Sequence, residues 1–386
     1  MKRNDQYVLK QLSGIPYLLT YGQTQADHKI GSRLNETGAF LWHLLEQEHN
    51  REELIDACAE YYGTTEEDLP ALAADIDRFL ENMNTRDYLA ENIQNPSLKN
   101  ASGKHIKAGN LTLKLVGASE AFSENFDKFL CCNVNEADQT VILHPCSPFR
   151  RVNGNLLLYN DELIIIDAGA QYVLLFPGKT HIEEIHLSKD ATLADIYCHP
   201  PYTDTFREEL FHAIRFPFLY LAQKHHMAAL HSASFLYQGK AWLFSGPSGT
   251  GKSTHTNLWH DLLQVPLLNG DLNILALEDE QPMIHGLPWC GTSEICDPAS
   301  YPLGGIILLR QAKEDRIEEL SADKKRLLVL QRLISPTWTP EMLSANLDLV
   351  DELADKKIYI VRLHCTKNFS AVDVMKEGID SYIATR

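Results

Sequence analysis

The residues best suited to chemistry in this 386-residue chain lie in the stretch WLFSGPSGTGKSTHTNLW, residues 242–259. Gly246, Gly251, Lys252 and Ser253 fit the pattern G-x-x-x-x-G-K-[ST]. Glycines let such a loop curl until backbone N–H groups face phosphate oxygens, the lysine reaches the β- and γ-phosphates, and the hydroxyl holds Mg²⁺. We therefore expect a nucleoside triphosphate, ATP or GTP, bound with Mg²⁺. The residues expected to hold it are Gly246, Pro247, Ser248, Gly249, Thr250, Gly251, Lys252, Ser253 and Thr254, with Ser253 also a metal ligand.

The sequence on either side of this loop predicts the elements that would position it. The apolar run at residues 241–244 is typical of a buried strand, and Leu258, Trp259, Leu262 and Leu263 recur at helical spacing. A strand, a glycine-rich loop and a helix in this order direct the N-terminus of the helix at the phosphates. The alternative is a Gly-Ser surface loop without a ligand, which the flanking elements disfavour.

Two further residues are candidates for the chemistry itself. Asp271 follows the stretch VPLLNG, about twenty residues after Lys252. A carboxylate at the tip of a strand beside a phosphate loop can hold Mg²⁺, directly or through water, and can accept a proton from an attacking hydroxyl. The alternative is a turn residue, since Asn-Gly-Asp is a common turn composition. His231 begins another predicted strand, and its spacing alone favours a buried core histidine.

Composition disfavours several classes of protein. The net charge of −17 argues against a nucleic-acid partner, because phosphate backbones are bound through clustered Lys and Arg. No apolar run approaches the roughly 18 residues that a membrane span needs. The start MKRNDQYVLK lacks the apolar core of a signal peptide, and the eight cysteines include no C-x-x-C pair. We expect a cytoplasmic protein with neither a membrane nor a nucleic-acid partner.

The first block of the chain, residues 1–94, predicts strands followed by three short helices. Asn50 is placed to cap the second helix and Gly63 to end it. Thr64 and Glu67 have capping-box spacing at the start of the third. Strands with three short helices suggest a winged-helix-like arrangement.

The rest of the chain predicts a linker and two further blocks. The polar residues 95–104 are typical of a linker. Residues 105–225 show mostly the two-residue period of short strands, and residues 226–386 alternate strands and helices. The expected fold class is α/β, α+β overall. It comprises a winged-helix-like N-terminal domain, a β-rich middle lobe and a P-loop nucleotide-binding core.

Four motifs in the second and third blocks carry a family resemblance: LHSASF, GPSGTGKSTHT, NGDLNIL and GLPWCGTSEI, in this order. They resemble the HPr kinase/phosphatase group, which shares its nucleotide core with ATP-dependent phosphoenolpyruvate carboxykinase. The resemblance covers about residues 105–386 and implies an HPr kinase-type core with His231 at the active site. That group usually carries Asp-Asp where this chain has Gly270-Asp271, so Asp271 alone is implied as metal ligand, base or both.

The first block carries a second resemblance, in RLNETGAFLWHLLE and DIDRFLENMNTRDYL. These stretches resemble a PqqD-like domain, the recognition element of ribosomal-peptide tailoring systems. The resemblance implies a winged-helix-like fold that binds the leader of an unmodified precursor peptide along a sheet edge, where unpaired N–H and C=O groups accept an added strand. DNA binding, the other use of winged helices, is disfavoured by the acidic charge.

Together the resemblances imply a tailoring kinase of the kind that acts on lasso-type peptides. Residues 1–94 would bind the leader, and the P-loop core would transfer the γ-phosphoryl group to a hydroxyl, above all that of a serine. Lys252, Asp271 and His231 are the implied catalytic residues, with Glu294 and Lys367 as further candidates. Related enzymes assemble into oligomers, so a homo-oligomer is also implied.

Three alternatives stay open. The chain would be a small-molecule kinase if its first block merely docks a partner. It would be a nucleotide-dependent switch or chaperone if it escorts the peptide and transfers nothing. A decarboxylating carboxykinase is the third alternative, for which only part of the metal-ligand set is present.

Overall fold

The computed structural model describes residues 2–4, 7–20, 32–47, 49–65, 68–85, 88–90, 103–132, 136–148, 154–356 and 358–385. The chain forms two compact units, Met1–Ser97 with Pro148–Arg151 and Leu98–Ser147 with Val152–Arg386. Large sheets and helices occur together, in agreement with the expected α+β class. The predicted linker at residues 95–104 lies outside the described residues except for its last two positions. The predicted division at residue 225 stays a prediction.

The first unit combines short strands with three helices. Its strands are β1 (Lys2–Arg3), β2 (Tyr7–Leu12), β3 (Ile15–Thr20), β4 (Ser32–Arg33) and β5 (Leu89–Ala90). Strand β1 pairs with β5, and β2, β3 and β4 form an antiparallel sheet in that order. The helices are α1 (Glu36–Leu44), α2 (Arg51–Tyr62) and α3 (Leu69–Thr85). Its buried core includes Leu18, Leu41, Trp42, Leu54, Cys58 and Ile76.

Capping residues set the boundaries of the second helix in this unit. The side chain of Asn50 accepts the N–H of Glu53, whose carboxylate accepts the N–H of Asn50 in return. Gly63 ends the helix in the left-handed region at a φ of 63°. The predictions for Asn50 and Gly63 are therefore confirmed. The predicted box of Thr64 and Glu67 includes Glu67, which lies outside the described residues, and the winged-helix assignment stays a prediction.

An eight-stranded sheet forms one half of the second unit. Its strands are β6 (Lys104–Ala108), β7 (Leu111–Val116), β8 (Gln139–His144), β9 (Asn155–Tyr159), β10 (Ile164–Asp167), β11 (Gln171–Leu175), β12 (Ile182–Ser188) and β13 (Leu193–Cys198). The order is β6-β7-β8-β13-β12-β11-β10-β9, with β8 parallel to both neighbours. Asn160 Oδ1 accepts the N–H groups of Glu162 and Leu163 in the turn that joins β9 and β10 as an antiparallel hairpin.

The long helix α4 (Asp204–Lys224) covers this sheet. Thr203 caps the N-terminus of α4. The apolar side chains of the helix belong to the same hydrophobic core as those of the strands. The segment between β7 and β8 adds two 3₁₀ turns, Ser119–Ala121 and Glu124–Phe129. The helix and these turns line one cavity of this unit.

The other half of the second unit is a mixed sheet with helices on both faces. Its strands are β14 (Ala228–Tyr237), β15 (Lys240–Ser245), β16 (Leu267–Asn269), β17 (Leu272–Glu278), β18 (Gln281–Gly286), β19 (Ser300–Gln311), β20 (Arg316–Glu319) and β21 (Tyr359–Cys365). Strands β15, β19 and β21 run parallel, while β14 pairs with β15, β16 and β17. The helices are α5 (Lys252–Leu263), α6 (Ala322–Leu330), α7 (Pro340–Asp355) and α8 (Ser370–Ala384).

Apolar strands of this sheet are buried because helices cover them. Trp242 and Phe244 of β15 pack with Trp259 of α5 and Met375 of α8. Leu243, between them, points to the opposite core, which includes residues of α7. Among the helices that the structure describes, none combines the length and apolar composition needed to cross a membrane.

Candidate nucleotide site

The glycine-rich stretch forms the loop between β15 and α5, as the sequence predicts. Gly249 and Gly251 adopt φ angles of +77° and +104°, where residues with a Cβ are strained. A Cβ on Gly246 would lie 2.8 Å from Thr250 Oγ1, so the close turn also needs glycine there. Gln311, at the end of β19, donates its Nε2–H to the carbonyl of Gly249 and ties the loop to the sheet.

The N-terminus of α5 is open to a ligand. Gly251 is the N-cap residue, and it supplies no side-chain cap to the first turn. The first N–H groups of a helix have no partner within the helix, and together with the helix dipole they favour an anion. Ser253 and Thr254, in that first turn, are exposed. The local geometry thus suits phosphate oxygens.

A cavity of about 320 Å³ lies at this N-terminus. It brings together predicted residues that are far apart in sequence: His231, Lys252, Asp271 and Lys367. The remaining lining residues are Ser248, Gly249, Gly251, Ser253, Thr254, Gly270, Cys290, Gly291 and Ser293. The predicted residues Gly246, Pro247, Thr250 and Glu294 do not line it.

His231 and Asp271 meet inside this cavity. Nε2 of His231 lies 3.1 Å from Oδ1 of Asp271, and the two side chains are 26% and 32% exposed. His231 ends the part of β14 that pairs with β17, opposite Leu272. The N–H of Ser232 donates to the carbonyl of Asp271, which fixes the two backbones side by side.

The turn that carries Asp271 is held by a buried amide. Asn269 Oδ1 accepts the N–H groups of Asp271 and Leu272, and its Nδ2–H donates to the carbonyl of Leu287. Asp271 therefore lies in the turn between β16 and β17, with its backbone in the turn and its carboxylate in the cavity. Asp271 can therefore be a turn residue and also line the site.

Buried polar residues on the neighbouring strands fix the same region. Asn273 donates to the carbonyl and the hydroxyl of Ser232, and Ser234 donates to Asn273 Oδ1. These three side chains are almost fully buried. Buried polar groups that are fully paired rigidify their surroundings. This network holds β14 and β17 in the register that places His231 beside Asp271.

The charges around Asp271 keep its carboxyl ionised. The hydrogen bond with His231 lowers the pKa of Asp271 below its usual value, and the charges of Arg215 and Lys252 add to this while burial opposes it. Burial lowers the pKa of Lys252, and the charge of Asp271 opposes that shift. Lys252 is half-buried and its Nζ donates to the carbonyl of Gly246, so it is less solvated than a free surface lysine.

Sequence reasoning missed Arg215, which adds positive charge to this region. It lies on α4, where burial lowers its pKa and the charge of Asp271 opposes the shift. Among the described residues its buried Nε has no hydrogen-bond partner. The sequence could have indicated this residue, because Arg215 lies within the apolar stretch HAIRFPFLYL and a buried arginine is rare unless it pairs with a negative charge.

The packing around position 270 requires a glycine there. A Cβ on Gly270 would overlap the side chain of Ser293 and approach the carbonyl of Cys290. No side chain fits at position 270 unless that segment moves. Glu294 adopts a φ of 54° and does not line the cavity, and its part in the site stays a prediction.

The residues present fit a nucleotide with Mg²⁺. A glycine cradle and an open helix N-terminus suit phosphates, and Lys252 adds positive charge beside them. Mg²⁺ prefers oxygen ligands, and the exposed Ser253 hydroxyl and the ionised Asp271 carboxylate are oxygens of that kind on one cavity. Ser253 and Asp271 are therefore the residues that would hold the metal.

Comparison with known proteins identifies part of the chain. Residues 29–89 match the family model of coenzyme PQQ synthesis protein D (PqqD). The matched segment includes α1, α2 and α3, so the chain carries a PqqD-like domain in its first unit. No curated protein matches the chain. The resemblance of residues 105–386 to the HPr kinase group stays a prediction.

Proposed function

We propose that this chain is an ATP- or GTP-dependent kinase that phosphorylates a hydroxyl, above all that of a serine, in a ribosomally made precursor peptide. The PqqD-like domain points to precursor-peptide binding, and it would hold the leader as an added strand at an edge of the sheet formed by β2, β3 and β4. The phosphate-binding loop and the cavity beside it would carry out the transfer. The observation that carries the proposal is the His231–Asp271 pair at 3.1 Å in one cavity with Lys252 and Ser253.

The proposed step is an in-line phosphoryl transfer. The acceptor oxygen forms a bond to the γ-phosphorus while the bond from that phosphorus to the bridging oxygen of the β-phosphate breaks, and a nucleoside diphosphate leaves. Such transfers pass through a loose transition state and depend mostly on positioning and charge neutralisation. The bound Mg²⁺ would supply part of that neutralisation.

The residues that line the nucleotide cavity have different parts in this step. Lys252 and the N–H groups at the start of α5 bind and orient the phosphates. The carboxylate of Asp271 accepts the hydrogen bond of the acceptor hydroxyl and then its proton. His231 holds Oδ1 of Asp271 through Nε2, so that the carboxylate keeps one orientation. The side chains of His231 and Asp271 are partly buried, and electrostatic interactions between such groups are stronger than in water.

The experiment is a labelling reaction with the full chain. The protein is incubated with γ-labelled ATP or GTP, Mg²⁺ and candidate precursor peptides from short reading frames next to its gene, and label on each peptide is measured. The wild type should transfer label and Lys252→Ala should not. Lys313→Ala is the matched control, because Lys313 is exposed and lies outside the lining of the cavity.

Two outcomes would contradict the proposal. Equal labelling by the wild type and Lys252→Ala would show that the glycine-rich loop is not the active site. Nucleotide binding that depends on Lys252, with no label on the peptide or on any added small hydroxyl compound, would favour the nucleotide-dependent switch.

A further inference from the structure

A second, larger cavity opens beside the nucleotide cavity. Its volume is about 950 Å³, at the upper end of the range of small-ligand pockets. The start of α4, the two 3₁₀ turns and the first residue of β6 surround it. The lining residues are Lys104, Ser119, Glu120, Phe122, Ser123, Glu124, Asn125, Asp127, Asp204, Arg207, Glu208, Phe211, His212, Cys290 and Gly291.

The two cavities meet at Cys290 and Gly291, which line both. Gly291 adopts a φ of +63°, and a Cβ there would lie 3.0 Å from Cβ and 3.2 Å from Cγ of Asp271. Gly291, which both cavities share, therefore lies directly against the side chain of Asp271. A ligand in the larger cavity would contact a residue that packs on the carboxylate of the proposed step.

The charge of the larger cavity is negative. Five carboxylates line it, together with only two permanent cations, Lys104 and Arg207. Those cations are already paired: Arg207 with Asp204, and Lys104 with Asp127 at 4.0 Å. Burial lowers the pKa of His212, so this histidine is uncharged at neutral pH.

Three glutamates of the cavity form no salt bridge with a lysine or arginine among the described residues, although Glu208 and Lys179 interact at longer range. They are Glu120, Glu124 and Glu208. The apolar part of the lining comes from Phe122 and Phe211, which are buried. A carboxylate rim over an apolar wall fits a long aliphatic side chain with a positive end, since such side chains bury their stems and keep the charge at the polar edge.

We propose that the larger cavity binds the acceptor segment of the peptide, and that this segment carries a lysine or an arginine within a few residues of the phosphorylated hydroxyl. The inference rests on the proposed function and adds the chemical class of the acceptor. The carboxylate rim repels a phosphate or an acidic segment and attracts a basic one. The cation is held at the rim while the hydroxyl passes Gly291 towards Asp271.

The test measures binding separately from transfer. The probe is the peptide Ac-Gly-Ala-Lys-Ser-Lys-Ala-Gly-NH2, and its matched control replaces both lysines with norleucine, which keeps the aliphatic stem and removes the charge. Binding to the full chain with a non-hydrolysable ATP analogue and Mg²⁺ is measured by calorimetry. We expect the lysine peptide to bind at least about tenfold more tightly, because hydrogen bonds to charged groups exceed neutral ones by that order.

Two sets of variants locate the effect. The set Glu120→Gln, Glu124→Gln and Glu208→Gln should reduce the preference to about twofold or less, since only weak long-range attraction then remains. The control set Glu136→Gln, Glu314→Gln and Glu377→Gln removes equal charge from exposed glutamates outside both cavities and should keep the preference. The preference should also weaken as salt approaches physiological strength, where the Debye length is about 8 Å.

The possible results separate this inference from the kinase proposal. Equal binding of the two peptides to the wild type, or a preference that survives the first set of substitutions, overturns the inference. A preference lost only in that set supports it. Binding with that preference but without label transfer to the serine of either peptide or to the precursor supports the cation site and counts against the kinase proposal.

Discussion

Nε2 of His231 lies 3.1 Å from Oδ1 of Asp271, although His231 belongs to β14 and Asp271 to the turn that precedes β17. Oδ1 of Asp271 contacts the histidine, and the Asp271 side chain also lines the cavity.

The substitution Asp271→Asn should remove most of the phosphoryl transfer. An amide neither takes the acceptor proton nor binds Mg²⁺ well, and the loss of one such group costs on the order of 10²–10³ in rate. The turn should survive, because Asn269 bonds the backbone of residue 271 and not its side chain. The rate is measured beside Asp261→Asn, an exposed residue of α5. A loss below about tenfold would leave Asp271 as a turn residue only.

The substitution His231→Ala should cost less than Asp271→Asn. The histidine acts through Asp271 by fixing one of its oxygens, so the carboxylate stays present but less oriented. We expect a rise in acceptor KM with a smaller fall in kcat, and recovery with Gln, whose amide can donate to Asp271. The exposed His225→Ala is the control, and an unchanged rate in His231→Ala would make His231 a structural residue.

The substitution Gly270→Ala should lower both stability and activity. The added Cβ overlaps the side chain of Ser293, and overpacking of this kind costs typically about 1–3 kcal/mol. The double variant Gly270→Ala with Ser293→Gly should recover part of the loss. Gly178→Ala is the control, because its Cβ would meet only the carbonyl of Asp161 at 3.8 Å. Thermal unfolding compares the four proteins, and an unaffected Gly270→Ala would refute the steric explanation.

The thiol of Cys290 should react slowly with iodoacetamide near pH 8. Burial, together with the neighbouring Cys296, raises the pKa of Cys290 from 9.0 to about 11. Only the thiolate attacks, so the thiolate fraction at that pH is about a hundredfold lower than for an ordinary thiol, and the rate should keep rising as pH increases towards 11. Mass spectrometry of peptides containing Cys290 and the exposed Cys132 compares the two rates. A plateau for Cys290 below pH 9 would contradict this prediction.

The leader peptide, added as a separate molecule, should inhibit phosphorylation of the full precursor. It competes for the PqqD-like domain, whose binding of a tethered leader supplies the core at an effective concentration in the mM range. Phosphorylation of a leaderless core peptide should be slow and should not change when free leader is added. Inhibition of both reactions to the same degree would place the leader in the transfer site instead.

The nucleotide loop could be predicted from the sequence because every part of it is local. The strand, the glycines and the helix follow one another within residues 241–263, and the φ angles of Gly249 and Gly251 explain two of the glycines. Asp271 could be proposed from its place after the helix that follows the loop, but His231 needed a family resemblance. The pairing of β14 with β17 that brings the two together is not visible in either segment alone.

The larger cavity could not be predicted in the same way. Its walls come from β6, the 3₁₀ turns, α4 and the loop at Cys290, so no single stretch carries its pattern. Glu294, whose role stays a prediction, illustrates the same difficulty. It stands in a suggestive motif, yet the chain turns there through a left-handed φ and the residue stays out of the cavity lining. Sequence order alone does not specify such directions.

The sharing of Cys290 and Gly291 by the two cavities has a thermodynamic consequence. Two ligands that contact the same residues do not bind independently when either one shifts those residues. If nucleotide strengthens or weakens the binding of a peptide by some factor, the peptide changes the affinity for nucleotide by the same factor. Such reciprocity holds at equilibrium whatever the order of addition. The position of the loop at Gly291 would then determine how much lower the affinity for nucleotide is when no peptide occupies the acceptor cavity.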